Sequence, residues 1–196
     1  EYGALAVALA AHLAATTQGA VTPAQYRDAL DSLLQGDDAD ELLALVERVK
    51  ASVEANETTQ AFAEQLGLAR GVSGYMYHTV PVTLHGWLSH QQDLGGAVVE
   101  VIRCGGDCDS TAAIVGAMVG AGVGVAGIPP EWRARLIDWP RTVAWMQALA
   151  DKLADTVAGA QPAKAPRLFA PAIVLRNVAF LGVVLAHGLR RLLPPY

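Results

Sequence analysis

The sequence has few charged residues, few aromatic residues and only two cysteines, and each shortage excludes a class of protein. Charged residues make up 17% of the 196 residues and hydrophobic residues 53%, whereas disordered chains combine low hydrophobicity with high charge. The 14 Lys and Arg are outnumbered by 19 Asp and Glu, so there is no excess of cations for binding a nucleic-acid backbone. Cys104 and Cys108 are too few and too close together for a disulfide framework, which favours a reducing, cytoplasmic location.

Two further features are missing. The sequence has no Gly-x-x-x-x-Gly-Lys phosphate-binding motif, so a nucleoside-triphosphate hydrolase is not expected. The chain opens at Glu1 on an apolar helical segment, without the basic start of a signal peptide. We therefore expect it to be a piece of a longer protein that is incomplete at its N-terminal side.

Long runs of Ala, Leu and Val with little polar alternation predict an all-α, compact multi-helix bundle. We expect a domain over residues 1–158, a linker of small residues and prolines over 159–170, and an amphipathic helix over 171–196. Thr22 before Pro23, Asp40 and Asp93 are the expected helix caps. The helices predicted within the domain are 1–15, 23–34, one beginning at Asp40, 59–66, 80–88, 93–102, 111–125, 130–137 and 140–158.

The C-terminal segment has its own pattern. An apolar stretch over 178–189 lies between Arg176 and Arg190 and is too short to cross a membrane as a regular helix. Two interpretations stay open. The simpler one is an amphipathic helix that docks on the domain or on a missing part of it. The other is an interfacial helix whose arginines meet anionic lipid.

The most informative stretch is the Gly-Gly-Asp-Cys-Asp-Ser run at 105–110, which places two carboxylates and a hydroxyl between glycines and a helix start. Mg²⁺ and Mn²⁺ prefer such oxygen ligands, so Asp107, Asp109 and Ser110 are candidates for one side of a metal site. The glycines would allow the tight turn that aims these side chains inward. The alternative is that Asp109 or Ser110 caps the following helix and no metal binds.

Two other groups of polar residues carry less information. Three acidic residues lie in a polar turn before a charged helix, where a solvated loop with a cap is the simpler interpretation: Asp37, Asp38 and Asp40. Three histidines precede the acidic run without a partner at zinc spacing, so structural or surface roles are expected for them: His78, His85 and His90.

Four segments occur in a specific order. They are Gly74-Tyr75, the His-Thr-Val-Pro run at 78–81, the acidic turn with the apolar helix after it at 105–117, and the Gly-Ile-Pro break at 127–129 followed by Trp132. In this order the sequence resembles the ADP-ribosylglycohydrolase family, which includes dinitrogenase reductase-activating glycohydrolases. A lone Asp-x-Asp would be a weak signal, whereas the ordered series is specific.

The resemblance implies an all-α fold, a centre of two Mg²⁺ ions, with Mn²⁺ as the other candidate, and hydrolysis of the bond that joins ADP-ribose to a modified side chain or small conjugate. The family's metal ligands map onto Asp107, Asp109 and Ser110, with Ser110 in place of the usual threonine. Ser110 keeps the hydroxyl ligand. Tyr75 maps onto a tyrosine beside the ADP-ribose, and its alternative role is a buried aromatic that anchors the loop. ADP-ribosylated proteins are the expected partners.

The resemblance also shows what this sequence does not contain. Family members have a Gly-Asp-Ala-x-Gly start and a Ser/Thr-Asp-Asp-Thr metal motif, and neither occurs here. Asp37-Asp38 is followed by Ala39 and lies in the wrong part of the order. We therefore expect residues 1–158 to match the C-terminal part of the family domain, with the general base in the missing segment. The intact parent would be active and this chain alone inactive. A non-catalytic ADP-ribose-binding module and a membrane-surface helical protein are the competing hypotheses.

Overall fold

The computed structural model describes residues 1–34, 39–159, 161 and 164–194. Across these residues the chain forms ten α-helices and a single 3-10 turn, with no β-strand, which confirms the prediction of an all-α fold. The chain divides into two compact units, residues 1–129 and 130–196. The domain predicted over residues 1–158 was defined by resemblance rather than by compactness, so its boundary stays a prediction.

The first unit contains seven of the described α-helices, followed by the 3-10 turn Val125–Gly127. They are α1 (Tyr2–Thr16), α2 (Pro23–Leu33), α3 (Asp40–Glu54), α4 (Thr59–Gln65), α5 (Met76–Ser89), α6 (Leu94–Arg103) and α7 (Cys108–Val123). The second unit contains α8 (Pro130–Arg135), α9 (Val143–Val157) and α10 (Ala170–Leu192). The predicted helices therefore exist, with ends that differ by a few residues.

Two of the three predicted caps are confirmed. Thr22 and Gln25 form a reciprocal capping box, because each side-chain oxygen accepts a hydrogen bond from the other residue's backbone amide, at 3.1 and 2.9 Å. The Asp93 carboxylate accepts a bond from the amide of Gly96 at 2.9 Å. The prediction for Asp40 was wrong, since Ala39 is the N-cap and Asp40 is the first helical residue, where its charge still favours the helix dipole. Asp37-Asp38 lies outside the described residues.

Helix α5 lies at the centre of the first unit and packs against α1, α3, α4, α6 and α7. It begins at Met76, one turn before the predicted start, so that Pro81 lies inside the helix. Trp87 of α5 is fully buried and meets the Tyr26 ring edge-on, with ring centroids 5.5 Å apart. The Tyr26 hydroxyl donates a hydrogen bond to the carbonyl of Ala6 at 2.9 Å. These contacts tie α1, α2 and α5 together around one core.

The apolar helix α7 is packed between α6 and α1. A Cβ added to Gly116 or Gly120 would lie at ordinary contact distance, 3.9 and 3.7 Å, from side chains of α6. Gly122 permits a closer approach, because a Cβ there would lie 3.2 Å from the carbonyl oxygen of Ala14 in α1. Gly124, which the predicted helix 111–125 included, lies beyond the helix end as its C-cap with φ +62°. Its left-handed backbone favours glycine.

The second unit buries very little of itself. Among its described residues Ala172 alone is buried. Helix α10 begins at Ala170, with Pro171 in its first turn, and runs for 23 residues. It is therefore longer than the apolar stretch predicted from sequence, and by length and composition it could cross a membrane. Within this unit the apolar side of α10 is left exposed, and Arg176 forms an ion pair with Asp138 at 2.9 Å.

Candidate active site

The acidic turn before α7 is held by the loop that precedes α5. Val72 and Gly106 form an isolated parallel bridge. The amide of Val72 donates to the carbonyl of Gly105 at 3.1 Å, and the amide of Asp107 donates to the carbonyl of Val72 at 2.7 Å. Two segments more than 30 residues apart in sequence are therefore fixed to each other at the first residue of the candidate metal motif.

Glycine is needed on both sides of this bridge. Gly105 and Gly106 have φ values of +70° and +80°, in the region that side-chain-bearing residues rarely adopt. A Cβ on Gly106 would lie 2.1 Å from the carbonyl oxygen of Val72. On the opposite segment, a Cβ on Gly71 would lie 2.6 Å from the backbone nitrogen of Gly106. The glycines of both segments therefore serve one purpose, which is to let the two backbones come into close contact.

The two aspartates behave differently at the start of α7. Asp107 occupies the N-cap position, yet its carboxylate accepts no capping hydrogen bond. Asp109 is exposed in the first turn. The pKa of Asp109 is lowered, first by a hydrogen bond from the Asp107 carboxyl and then by the backbone amides of Asp109 and Ser110. The Asp107 side chain therefore does not cap α7, although Asp107 occupies the N-cap position.

The donor set of this turn fits a hard divalent cation. The Asp107 carboxyl is close enough to Asp109 to lower its pKa, and two neighbouring ionised carboxylates repel unless a proton or a cation lies between them. Ser110 adds a hydroxyl oxygen, and Mg²⁺ and Mn²⁺ are bound by oxygen ligands of this kind. Within the described part of the chain, no group of three or more His, Cys, Asp or Glu side chains is placed to hold a metal. These oxygen atoms would therefore form only part of a coordination sphere.

The tyrosine loop lies against the same turn. A Cβ on Gly74 would be 2.9 Å from a carboxylate oxygen of Asp107, so these two residues are in direct proximity. Tyr75 is 56% exposed, which does not support the alternative role of a buried anchor. Its ring contacts the rings of Tyr77 and His78 edge-on, with centroids 5.5 and 5.2 Å away. The Nδ1 atom of His78 lies 2.9 Å from the hydroxyl of Ser73, so hydrogen bonding also orders the loop.

A cavity of about 570 Å³ opens beside these residues, between α1, α5 and α7. Its lining includes Asp107, Ser110 and Thr79, together with small residues of α1 such as Ala4 and Ala8. This volume is within the range of small-molecule sites. The sequence did not identify α1 as a wall of the site, although small residues four apart on one helix were a visible signal.

The three histidines are not gathered into a metal site. His85 is fully buried and stacks on Phe62, with ring centroids 4.8 Å apart. Its two ring nitrogens lie 3.1 Å from the hydroxyl of Thr59 and 3.2 Å from that of Ser52. Burial lowers the pKa of His85 to about 4, against the opposing charge of Glu57. His85 is therefore a neutral, hydrogen-bonded core residue, as the sequence interpretation expected.

Both cysteines are free thiols. Cys104 is buried at the end of α6, and burial raises the pKa of its thiol to about 11. A thiol with such a pKa is protonated at neutral pH and is a poor nucleophile. Cys104 is therefore not an activated nucleophile.

Comparison with known families adds an independent observation. The family model described as ADP-ribosylglycohydrolase matches residues 1–163, a segment that includes Tyr75, Asp107, Asp109 and Ser110. No curated protein and no solved structure matches the chain significantly.

Proposed function

Because this chain belongs to the ADP-ribosylglycohydrolase family, we propose that it forms part of a metal-dependent enzyme that removes ADP-ribose from a modified protein side chain or a small conjugate. The observation that carries the proposal is the position of Gly74 against the Asp107 carboxylate. Gly74, Asp107 and Ser110 line one cavity, and the exposed Tyr75 follows Gly74 directly in the same loop.

Asp107, Asp109 and Ser110 would hold Mg²⁺ or Mn²⁺ in this proposal. The cations, when bound, would supply the positive charge that orients ribose hydroxyls and activates a water. The uncapped Asp107 carboxylate and its proximity to Asp109 support this role, because both carboxylates would be stabilised by a shared cation. The backbone bridge at Gly106 would keep this turn from moving when a ligand binds.

Tyr75 and the cavity would position the substrate. An exposed tyrosine presents an aromatic face and a hydroxyl, both of which suit a ribose or an adenine ring. Hydrolysis at the ribose C1 atom passes through an oxocarbenium-like transition state, which requires the sugar to be held in a fixed orientation. The Tyr75 loop and the acidic turn, joined through Gly74 and Asp107, would provide this orientation.

We further propose that the remaining metal ligands and the general base come from a segment that this sequence does not contain. No Asp-Asp-Thr motif occurs in the 196 residues. The two carboxylates and the hydroxyl of the acidic turn would then bind a cation weakly on their own. The chain alone would have no hydrolase activity.

The test measures ADP-ribose release from ADP-ribosylated arginine and serine peptides and from an acyl ester, with Mg²⁺ or Mn²⁺. It compares the 196-residue chain with the same chain fused to a family segment that carries the Asp-Asp-Thr motif. We expect turnover by the fused protein only, and its loss in Asp107→Ala. Turnover by the chain alone would contradict the missing-ligand proposal. Tight ADP-ribose binding by the fused protein without turnover on any linkage would favour the non-catalytic module.

A further inference from the structure

Helix α10 exposes a long apolar surface. In the structure the apolar side chains along it are between 48% and 77% exposed from Val174 to Leu192. Ala172 is the one buried residue of the helix. The same unit also exposes Trp132 and Trp139, a residue type that is common where proteins meet the membrane interface. Such a surface is too extensive for an isolated helix facing water.

The basic side chains of the helix lie on one side of it, where the apolar Phe180 and Val183 also lie, and the other side is apolar throughout. Successive residues of a helix are rotated by about 100°, which places three arginines and one histidine within one third of the circumference of α10. They are Arg176, His187, Arg190 and Arg191. The opposite third carries a continuous set of branched apolar side chains: Val174, Val178, Leu181, Leu185, Leu189 and Leu192.

Charge is distributed very unevenly along the chain. Residues 164–196 contain five Lys and Arg and no Asp or Glu, although the whole chain has a net charge of -5. Residues 1–129 contain five Lys and Arg and 15 Asp and Glu. The segment that contains α10 is thus the one part of the sequence with a marked excess of cations, and an anionic surface would attract it selectively.

We propose that α10 binds the surface of an anionic lipid bilayer and lies in the plane of the membrane. Its apolar side would enter the acyl region, while Arg176, Arg190 and Arg191 would meet the lipid phosphates. The whole helix is long enough to cross a membrane, but a span would place Arg176 inside the hydrocarbon region, so an in-plane position fits better. The apolar run between Arg176 and Arg190 extends over 178–189, about 18 Å at 1.5 Å per residue, against a hydrocarbon core of about 30 Å.

The test is co-sedimentation of the full 196-residue chain with vesicles of phosphatidylcholine, alone or mixed with phosphatidylglycerol. We expect binding to the anionic vesicles, release by high salt and by alkaline carbonate, and little binding to phosphatidylcholine alone. Arg190→Gln with Arg191→Gln should weaken binding to the anionic vesicles by about tenfold or more. The same double variant should lose much less of its binding to vesicles of phosphatidylcholine alone.

Substitutions on the two sides of the helix give a matched comparison. Val178→Gln and Val183→Gln replace the same residue at 61% and 66% exposure on the apolar and the basic side, so folding should be equally unaffected. We expect several-fold weaker binding for the first and no change for the second. Leu181→Gln with Leu185→Gln should weaken binding by about tenfold or more.

Three results would overturn the proposal. Equal loss from both valine variants would show that the apolar side is not the one that binds lipid. Binding that resists alkaline carbonate and is the same on neutral vesicles would indicate a transmembrane helix. Self-association in sedimentation velocity that depends on Leu181 and Leu185, without vesicle binding, would assign the surface to a second copy of the chain.

Discussion

Gly74 lies directly against the carboxylate of Asp107, so close that a Cβ at position 74 would be 2.9 Å from its Oδ2 atom. The contact joins the loop that carries Tyr75 to the turn that carries the candidate metal ligands. Because the nearest atom belongs to the end of a side chain rather than to the backbone, a larger residue at position 74 would move the carboxylate and leave the fold in place.

Gly74→Ala should therefore lower metal affinity with little effect on stability. We expect Mn²⁺ binding, followed by electron paramagnetic resonance, to weaken by about tenfold, as is common when a group that orients a metal ligand is changed. Gly95→Ala is the control, because its Cβ would lie at an ordinary 3.5 Å from the Asp93 carboxylate. Unchanged Mn²⁺ binding in Gly74→Ala would argue against Asp107 as a ligand.

Substitution of the N-cap aspartates of α6 and α7 should have different effects, on stability in one case and on metal binding in the other. Asp93 accepts a capping hydrogen bond, and Asp93→Ala should lower the free energy of unfolding by about 1 kcal/mol without changing Mn²⁺ affinity. Asp107 makes no such bond, and Asp107→Ala should change stability by less than about 0.5 kcal/mol while removing most Mn²⁺ binding. Denaturant unfolding and Mn²⁺ titration of both variants measure the two effects. A stability loss in Asp107→Ala as large as that of Asp93→Ala would indicate a capping role.

The bridge between Val72 and Gly106 should be sensitive to a single methyl group. Gly67 and Gly106 share a φ of +80°, but a Cβ on Gly67 would meet no atom within 4 Å. Gly67→Ala should therefore lower the free energy of unfolding by about 1 to 2 kcal/mol, from backbone strain alone. Gly106→Ala should lower the free energy of unfolding considerably more, because its Cβ would lie 2.1 Å from the Val72 carbonyl oxygen. Urea denaturation of both variants gives the comparison, and equal losses would show that the bridge does not constrain the fold.

The sequence predicted the fold class and most helix positions because apolar periodicity and capping residues such as Thr22 act locally. It also identified Asp107, Asp109 and Ser110 as neighbours, since they share one turn. It did not predict that α5 begins at Met76, because Pro81 favours a later start by local rules and packing in the core overrides them.

Contacts between segments that are distant in the chain could not be predicted from the sequence either. The bridge of Val72 to Gly106 and the approach of Gly74 to Asp107 depend on how α5 and α7 pack, and glycine spacing alone does not name its partner. The wall that α1 contributes to the cavity was missed for the same reason. Whether α10 docks on protein or faces lipid was also left open by the sequence, since amphipathic patterning is the same in both cases.

The buried His85 should make stability depend on pH. Its folded-state pKa of about 4 is below the ordinary value of 6.5, because burial disfavours the charged ring. The unfolded chain therefore binds a proton on His85 at a higher pH than the folded chain does. The free energy of unfolding therefore has its full value above pH 6.5 and decreases by roughly 3 kcal/mol as the pH falls towards 4.

Two groups near His85 modulate this effect in opposite directions. The Glu57 carboxylate raises the pKa of His85 and the positive charge of His90 lowers it, both less strongly than burial does. Because hydrogen bonds from Ser52 and Gln65 lower the pKa of Glu57, this carboxylate stays ionised through most of the same range. Urea unfolding between pH 7 and 4 should show the predicted loss in the wild type and in His187→Gln, whose histidine is exposed. The loss should be much smaller in His85→Gln, and an unchanged pH slope in that variant would rule out His85 as the source.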